Sequence, residues 1–300
     1  IRILIVKIDY NLIYKLLNIM KIRLFKPSIG KDEISEIKKV FKNSWLGYGP
    51  KVKLFEKKWS NFIGSKYSVG VNSCTAALHI SLAVNNFKRK KKVLVPAITF
   101  SATAAVVLYC DLIPVFVDIN KDTLLMYFED LKKKYTRDCV AVIPVHLGGR
   151  PCEMEKIVPW AKKKRMIIIE DCAETAGGIY KGKKLGTWGD YGCFSFEEKK
   201  IMTTGDGGMV STNSKEKYLK LKSISFHGWN KDPWERHKLS SGRNSKKHWE
   251  YYIERIGYKY NMNDLAASIG LAQLKKINYL NSSRSIIIKN YLEGIKNLKN

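Results

Sequence analysis

Three short stretches of the 300-residue sequence carry residue types that could do chemistry. Asp171 follows the apolar run 166–170, which places a carboxylate at the carboxyl end of a predicted strand. Ser73-Cys74-Thr75 is a small polar turn just ahead of a helical run, 76–84. Lys200 comes a strand or two after Asp171. Each has an ordinary reading when taken alone. A strand-ending Asp is more often an N-cap or turn residue than a catalyst, and Lys200 is one of 54 Lys and Arg. Together they offer an amine that can condense with an aldehyde. They also offer a carboxylate that can keep a pyridine nitrogen protonated, and free backbone N–H groups that can hold a phosphate. Those are the three needs of a pyridoxal 5'-phosphate (PLP) site.

The elements that must position these residues can be read from periodicity. Apolar runs at 67–71, 93–95, 115–117, 140–144 and 166–170 predict strands. Helical stretches at 102–108, 128–135 and 153–164 alternate with the later ones. Short apolar strands separated by helices imply an α/β fold with a mostly parallel sheet covered on both faces. Ligands in such sheets bind beyond the carboxyl ends of the strands, where Asp171 falls. Ahead of this region, 32–41 and 52–62 read as helices around a Gly- and Pro-containing loop, Trp45 to Pro50. Behind it, 192–196 and 209–211 read as strands joined by a Gly-rich turn, and 215–223 as a helix. A polar, aromatic-rich loop is expected over 227–251, a helix over 264–275 and the start of another over 283–298.

Composition narrows the class. A hydrophobic content of 45% supports one large core and part of a second. No apolar stretch is long enough to span a membrane, and no cleavable leader pattern is present. The sequence begins with Ile, and Met20 is expected as the biological start, with 1–20 a non-native or disordered extension. The formal charge of +27 raises a nucleic-acid reading, but the lysines are spread over the whole chain and no helix-turn-helix signature accompanies them. The densest basic run, Lys88 to Lys92, precedes a strand and reads as a solvated loop. A field this positive also attracts anionic substrates such as nucleotide diphosphates. The six cysteines form no C-x-x-C pair, which predicts a reduced, cytoplasmic protein with neither a zinc site nor a disulfide framework.

The segment Gly189-Asp190-Tyr191-Gly192-Cys193-Phe194-Ser195-Phe196, continuing through Glu197-Glu198-Lys199-Lys200 to Gly207-Gly208, resembles the DegT/DnrJ-type nucleotide-sugar aminotransferases. In that family the fourth position after the Phe-Ser-Phe triplet is the Schiff-base lysine, which is Lys200 here. Further pieces fall in family order: Phe25 to Gly30, Trp45-Leu46 with Gly49-Pro50, Val71 to His79, Val95 to Thr103, Pro144 to Gly149, Glu170 to Glu174, and Gly257 to Asp264. The resemblance runs from about residue 21 to the end.

It implies an aspartate-aminotransferase-like large domain over 21–275. Residues 276–300 then begin a smaller C-terminal domain that is truncated here, since the family's chains continue further. It also implies PLP, a nucleotide-sugar substrate, an amino donor such as glutamate, and a homodimer with shared active sites; nucleic acid and membrane are not expected partners. Residue by residue, Lys200 is the Schiff-base lysine and proton shuttle, and Asp171 pairs with the pyridine nitrogen. Phe100 stacks on the ring, Cys74, Thr75 and Ser195 cradle the phosphate, and Glu174 lies near the ring hydroxyl. Lys259 or Asn261 is expected to reach the partner's site. The chain departs from the pattern at Glu174, where many relatives have His or Gln, and at Lys259, where many have Asn. Lys199 replaces a smaller or neutral residue and is expected to point to solvent; Glu197 and Glu198 receive no role. His79 is expected to be packed or half-exposed, and His146 to end a strand where it could line the site. Trp229, Trp234 and Trp249 could stack on a ligand or fold over an interface. Within the same fold a PLP-dependent sugar dehydratase would carry His in place of Lys200. A non-catalytic regulator is the reading that the positive charge alone would favour.

Overall fold

The computed structural model describes residues 25–240 and 249–296. The strands are β1 (Tyr67–Val71), β2 (Lys92–Pro96), β3 (Ile113–Val117), β4 (Cys139–Val142), β5 (Ile167–Asp171), β6 (Ile179–Tyr180), β7 (Lys183–Lys184), β8 (Tyr191–Ser195) and β9 (Gly208–Thr212). Seven of them form one sheet in the order β1-β9-β8-β5-β4-β2-β3, and β6 pairs with β7 in a small hairpin that the sequence did not suggest. β9 runs antiparallel to both neighbours and the other contacts in the large sheet are parallel. Six strands therefore point the same way. The expected mostly parallel α/β architecture is present.

The helices are α1 (Lys31–Lys42), α2 (Pro50–Ile63), α3 (Cys74–Ala83), α4 (Ala102–Tyr109), α5 (Phe128–Lys134), α6 (Met154–Lys163), α7 (Lys215–Ser225), α8 (Pro233–Ser240), α9 (Asp264–Lys275) and α10 (Ile277–Ile295). Alternate strand residues feed cores on opposite faces, as the two-residue pleat requires. Ile169 and Cys193 pack with α3, α4 and α7. Ile168 faces α5 and α6, and Phe194 faces α2 and α9. Trp59 of α2 sits edge-on to Phe194 and Phe196 at 4.9 and 5.0 Å, which pins this helix beneath the strands that carry the site. α3 is apolar nearly all round, as a helix buried between sheet and neighbours must be.

Two boundaries differ from expectation. The segment 227–251 contains α8, whose start is a capping box. Asp232 Oδ1 accepts the Glu235 N–H at 2.7 Å, Glu235 Oε2 accepts the Asp232 N–H at 3.1 Å, and Pro233 takes the first helical position. The last helix starts at Ile277 rather than at 283. The basic run Lys88 to Lys92 leads into β2 through an exposed turn, with Arg89 and Lys92 paired to Asp111 and Asp138. The expected extension over 1–20 lies outside the described residues. Among the described residues, no helix is long and apolar enough to cross a membrane.

Candidate active site

Because six strands share a direction, their carboxyl ends open on one edge of the sheet, where a cavity of about 440 Å³ lies. Its wall gathers residues from five connections. Cys74 and Thr75 follow β1, Phe100 follows β2 and His146 follows β4. Asp171 ends β5 with Glu174 just beyond, Ser195 ends β8, and Lys200 is in the turn before β9. Residues far apart in the chain and singled out from the sequence thus face one space. Thr99, Asp206 and Gly207 line it as well.

The turn after β1 is built to present N–H groups. Ser73 caps α3 by accepting the Ala76 N–H at 3.1 Å, while the Cys74 and Thr75 N–H groups have no acceptor among the described residues. Gly208, at the start of β9, lies against this turn: a Cβ there would meet Ser73 backbone carbon and oxygen at 2.5 Å and Cys74 nitrogen at 2.8 Å. Only glycine permits that approach. Ser195 Oγ accepts the Glu197 N–H at 3.4 Å on the same side of the cavity. Burial pushes the Cys74 thiol well above its usual range.

Asp171 is only 5% exposed. Its Oδ1 accepts the Ala173 N–H at 3.1 Å and its Oδ2 accepts the Thr103 hydroxyl at 3.0 Å. Burial raises its carboxyl above the ordinary value, against the opposing pull of those donors and of His146 and Lys200. Such a group gains from a cationic neighbour. Lys200 is half-buried, with Nζ 3.7 Å from Glu174 Oε1, and Glu174 Oε2 in turn accepts the Gly148 N–H at 2.6 Å. The turn that carries Lys200 is tied by Glu197, whose carboxylate accepts the Lys199 N–H at 3.0 Å and whose carbonyl accepts the Lys200 N–H at 3.0 Å. That gives Glu197 a structural role the sequence left blank. Lys199 is exposed but, rather than pointing only to solvent, it also lines the cavity, with Nζ 5.1 Å from the Phe25 ring centre. Phe100 stands at the mouth with 76% of its surface exposed, an apolar ring with no protein covering it on the cavity side.

His146, in the same wall, is buried against Glu170 at 3.2 Å. Its Nδ1 accepts the Cys152 N–H at 3.1 Å. Burial opposes a charge on the ring, but its hydrogen bonds with Cys152, Cys172 and Glu170 together raise its pKa above the usual imidazole value. Glu170 further accepts the N–H groups of Gly186, Trp188 and Gly189 at 2.7–2.8 Å. Ligating atoms of His146, Glu170 and Cys172 lie within 4.8 Å of one another, but these hydrogen bonds already occupy the imidazole and the carboxylate.

Lys259 and Asn261 are not in the cavity wall. Lys259 places its ammonium 4.2 Å from the Phe226 ring, and Asn261 bridges Val71 at the edge of β1. His79 is buried, with Nδ1 3.2 Å from the Tyr260 hydroxyl and Tyr258 and Tyr109 packed around the ring. Trp229 stacks with Tyr251 under Arg236, and Trp234 packs on Trp45 and His237. Trp249 is exposed. Thr103, the partner of Asp171, was missed in the sequence; its one signal is a hydroxyl residue in an otherwise apolar helix.

The DegT/DnrJ/EryC1/StrS aminotransferase family matches this chain over residues 27–300. The chain belongs to that family. It is 43% identical over 275 residues to protein MJ1066 of Methanocaldococcus jannaschii, a match covering 92% of this chain and 70% of that one. It is 38% identical over 265 residues to the spore coat polysaccharide biosynthesis protein SpsC of Bacillus subtilis, covering 88% of this chain and 67% of SpsC. Among solved structures, Spr1654 from Streptococcus pneumoniae, assigned as a sugar aminotransferase and solved in its PMP-form, superposes with a TM-score of 0.84. That match is at 31% identity and covers 92% of this chain and 73% of Spr1654. This chain is therefore a member of an aminotransferase family whose cofactor is PLP, and Spr1654 has also been solved in its PLP-form.

Proposed function

We propose that this chain binds PLP in the cavity described above and moves an amino group from glutamate to a nucleotide-linked keto-sugar, of the 4-keto-6-deoxy class. The product would feed polysaccharide or glycan synthesis. The observation that carries the reading is the convergence of Lys200 and Asp171 on one cavity, with the N-terminus of α3 beside them. The residues present suit the group: a buried carboxylate with no ion pair among the described residues, two N–H groups with no acceptor among them, and a glycine whose missing Cβ opens the turn. PLP, when bound, supplies an aldehyde for amine exchange and a ring that takes up electrons.

The chain's own residues have these roles in the proposal. Lys200 anchors the cofactor covalently and carries a proton at Nζ to and from the substrate carbon. Asp171 holds the pyridine nitrogen protonated. The Cys74 and Thr75 turn and Ser195 hold the phosphate, Phe100 packs on the ring face, and Glu174 faces the ring hydroxyl. The enzyme acts in the cytoplasm as a homodimer, and Lys259 or Asn261 contacts the partner's site. Residues 21–275 form the cofactor domain and 276–300 begin a second one. Lysine at 200 favours transamination over dehydration on this scaffold. The experiment is to incubate the chain with PLP, nitrogen-15 glutamate and a nucleotide-linked 4-keto-6-deoxy sugar. Label appearing on the sugar supports the proposal. A product that has lost a hydroxyl without gaining nitrogen refutes it.

A further inference from the structure

We infer that Thr99 and Thr103 are positioning residues of this site: a two-hydroxyl relay that fixes the Asp171 carboxylate, ionised, towards the cofactor's ring nitrogen. The inference rests on the PLP reading above. Thr103 Oγ1 lies 3.0 Å from Asp171 Oδ2 and 2.8 Å from Thr99 Oγ1. An ionised carboxylate can only accept, so the Thr103 hydroxyl donates to it. The Thr103 oxygen is then free to accept, and the Thr99 hydroxyl donates. With Asp171 ionised, the relay thus runs in one direction, from Thr99 through Thr103 to the carboxylate.

The placement argues that the hydroxyls are kept for this purpose. Thr103 is fully buried in α4, whose sequence is otherwise apolar apart from the terminal Tyr109. A valine would fill the same space without a hydroxyl to satisfy, and a buried hydroxyl costs free energy unless partnered. Thr99 lies in the bend that leads into α4, and its hydroxyl meets that of Thr103 in the helix's first turn. Thr99 is half-exposed in the cavity wall, beside Phe100, so the turn that offers a ring surface also begins the relay. Asp171 has just two hydrogen-bond donors among the described residues, the Thr103 hydroxyl and the Ala173 N–H, so removing one leaves half of its support. Burial works against its charge, which makes each remaining donor count.

The test compares two ligands on the full chain by fluorescence titration: PLP, and its 1-deaza analogue in which CH replaces the ring nitrogen. The variants are Thr103→Val, Thr103→Ser and Thr99→Val. In Thr103→Val, PLP should bind about tenfold more weakly, the scale of one hydrogen bond to a charged group, while the analogue shifts less than about twofold. Thr103→Ser should restore PLP binding, and Thr99→Val should weaken it by about threefold. Equal losses for both ligands would mean that Thr103 merely packs, and would overturn the inference; so would unchanged PLP binding. Should Thr103→Val fail to fold, Thr99→Val carries the same comparison with the buried contact intact. Failure of the underlying reading is distinct: the unsubstituted chain would then bind PLP no better than the deaza analogue, or not at all.

Discussion

Replacing Glu56 by Gln should stabilise the protein, and by an amount that depends on pH. Glu56 lies in α2 beneath β1, where its carboxylate accepts the Gly70 N–H at 2.8 Å and the Tyr48 hydroxyl at 3.2 Å. These bonds join the loop at Tyr48 to the strand that leads into the Ser73 turn. Burial raises the carboxyl from its ordinary 4.5 to about 7, against the pull of the Gly70 N–H, Lys222, Tyr48 and Lys53. The folded pKa lies above the unfolded one, so the folded state holds the extra proton between them. Stability is therefore fully present below about 4.5 and falls as pH rises through about 7. At about 1.4 kcal/mol per tenfold change, the cost approaches about 3 kcal/mol above pH 8 and is about 0.8 kcal/mol at pH 5. Gln keeps the shape, can accept the Gly70 N–H, and can donate to the Tyr48 oxygen. Lys53 and Lys222 retain Asp232 and Glu235 as partners. Urea unfolding at pH 5 and pH 8.5 is the assay. A gain of about 3 kcal/mol at the higher pH and under about 1 kcal/mol at the lower is expected. An equal gain at both values, or a loss at pH 8.5, would refute the argument.

Three further outcomes are expected. Gly208→Ala should destabilise the fold by about 1–3 kcal/mol, because its Cβ overlaps Ser73 and Cys74, and it should weaken PLP more than phosphate-free pyridoxal; melting and titration check both. Asp171→Asn should weaken PLP binding by about 10- to 100-fold, the scale of one charge-assisted hydrogen bond, as read by equilibrium dialysis. In the cofactor-free protein the folded pKa of Asp171 lies above 3.8, so its contribution to stability falls as pH rises past that value, and the Asn variant should lose this dependence in unfolding measured at pH 4 and pH 8.

Much of the sheet was legible because buried parallel strands must be apolar on both faces. The run ending at Asp171 announced both β5 and the edge at which a ligand would sit. The helix that follows Ser73 was equally plain, since a hydroxyl cap precedes a mostly apolar stretch. α8 was hidden by its aromatic and charged composition, yet the Asp232, Pro233 and Glu235 spacing that starts it was in view. The early start of α10 carried no signal, because Lys276 makes no side-chain cap and Asn278 and Tyr279 look like loop residues. Pairings across the chain were the least accessible. Thr103 meets Asp171, and Glu170 meets the amides of Gly186, Trp188 and Gly189, through contacts between elements far apart in the chain, which periodicity does not encode. The places of Lys259 against Phe226 and of Asn261 against β1 depend on the same kind of long-range contact.

The most direct test is to reduce the PLP-loaded protein with borohydride and map the modified peptide. The account predicts the cofactor fixed to the side-chain nitrogen of Lys200 alone, with the visible absorption band gone in Lys200→Ala. Attachment to Lys199, scattering over many lysines, or a band that survives the substitution would contradict it.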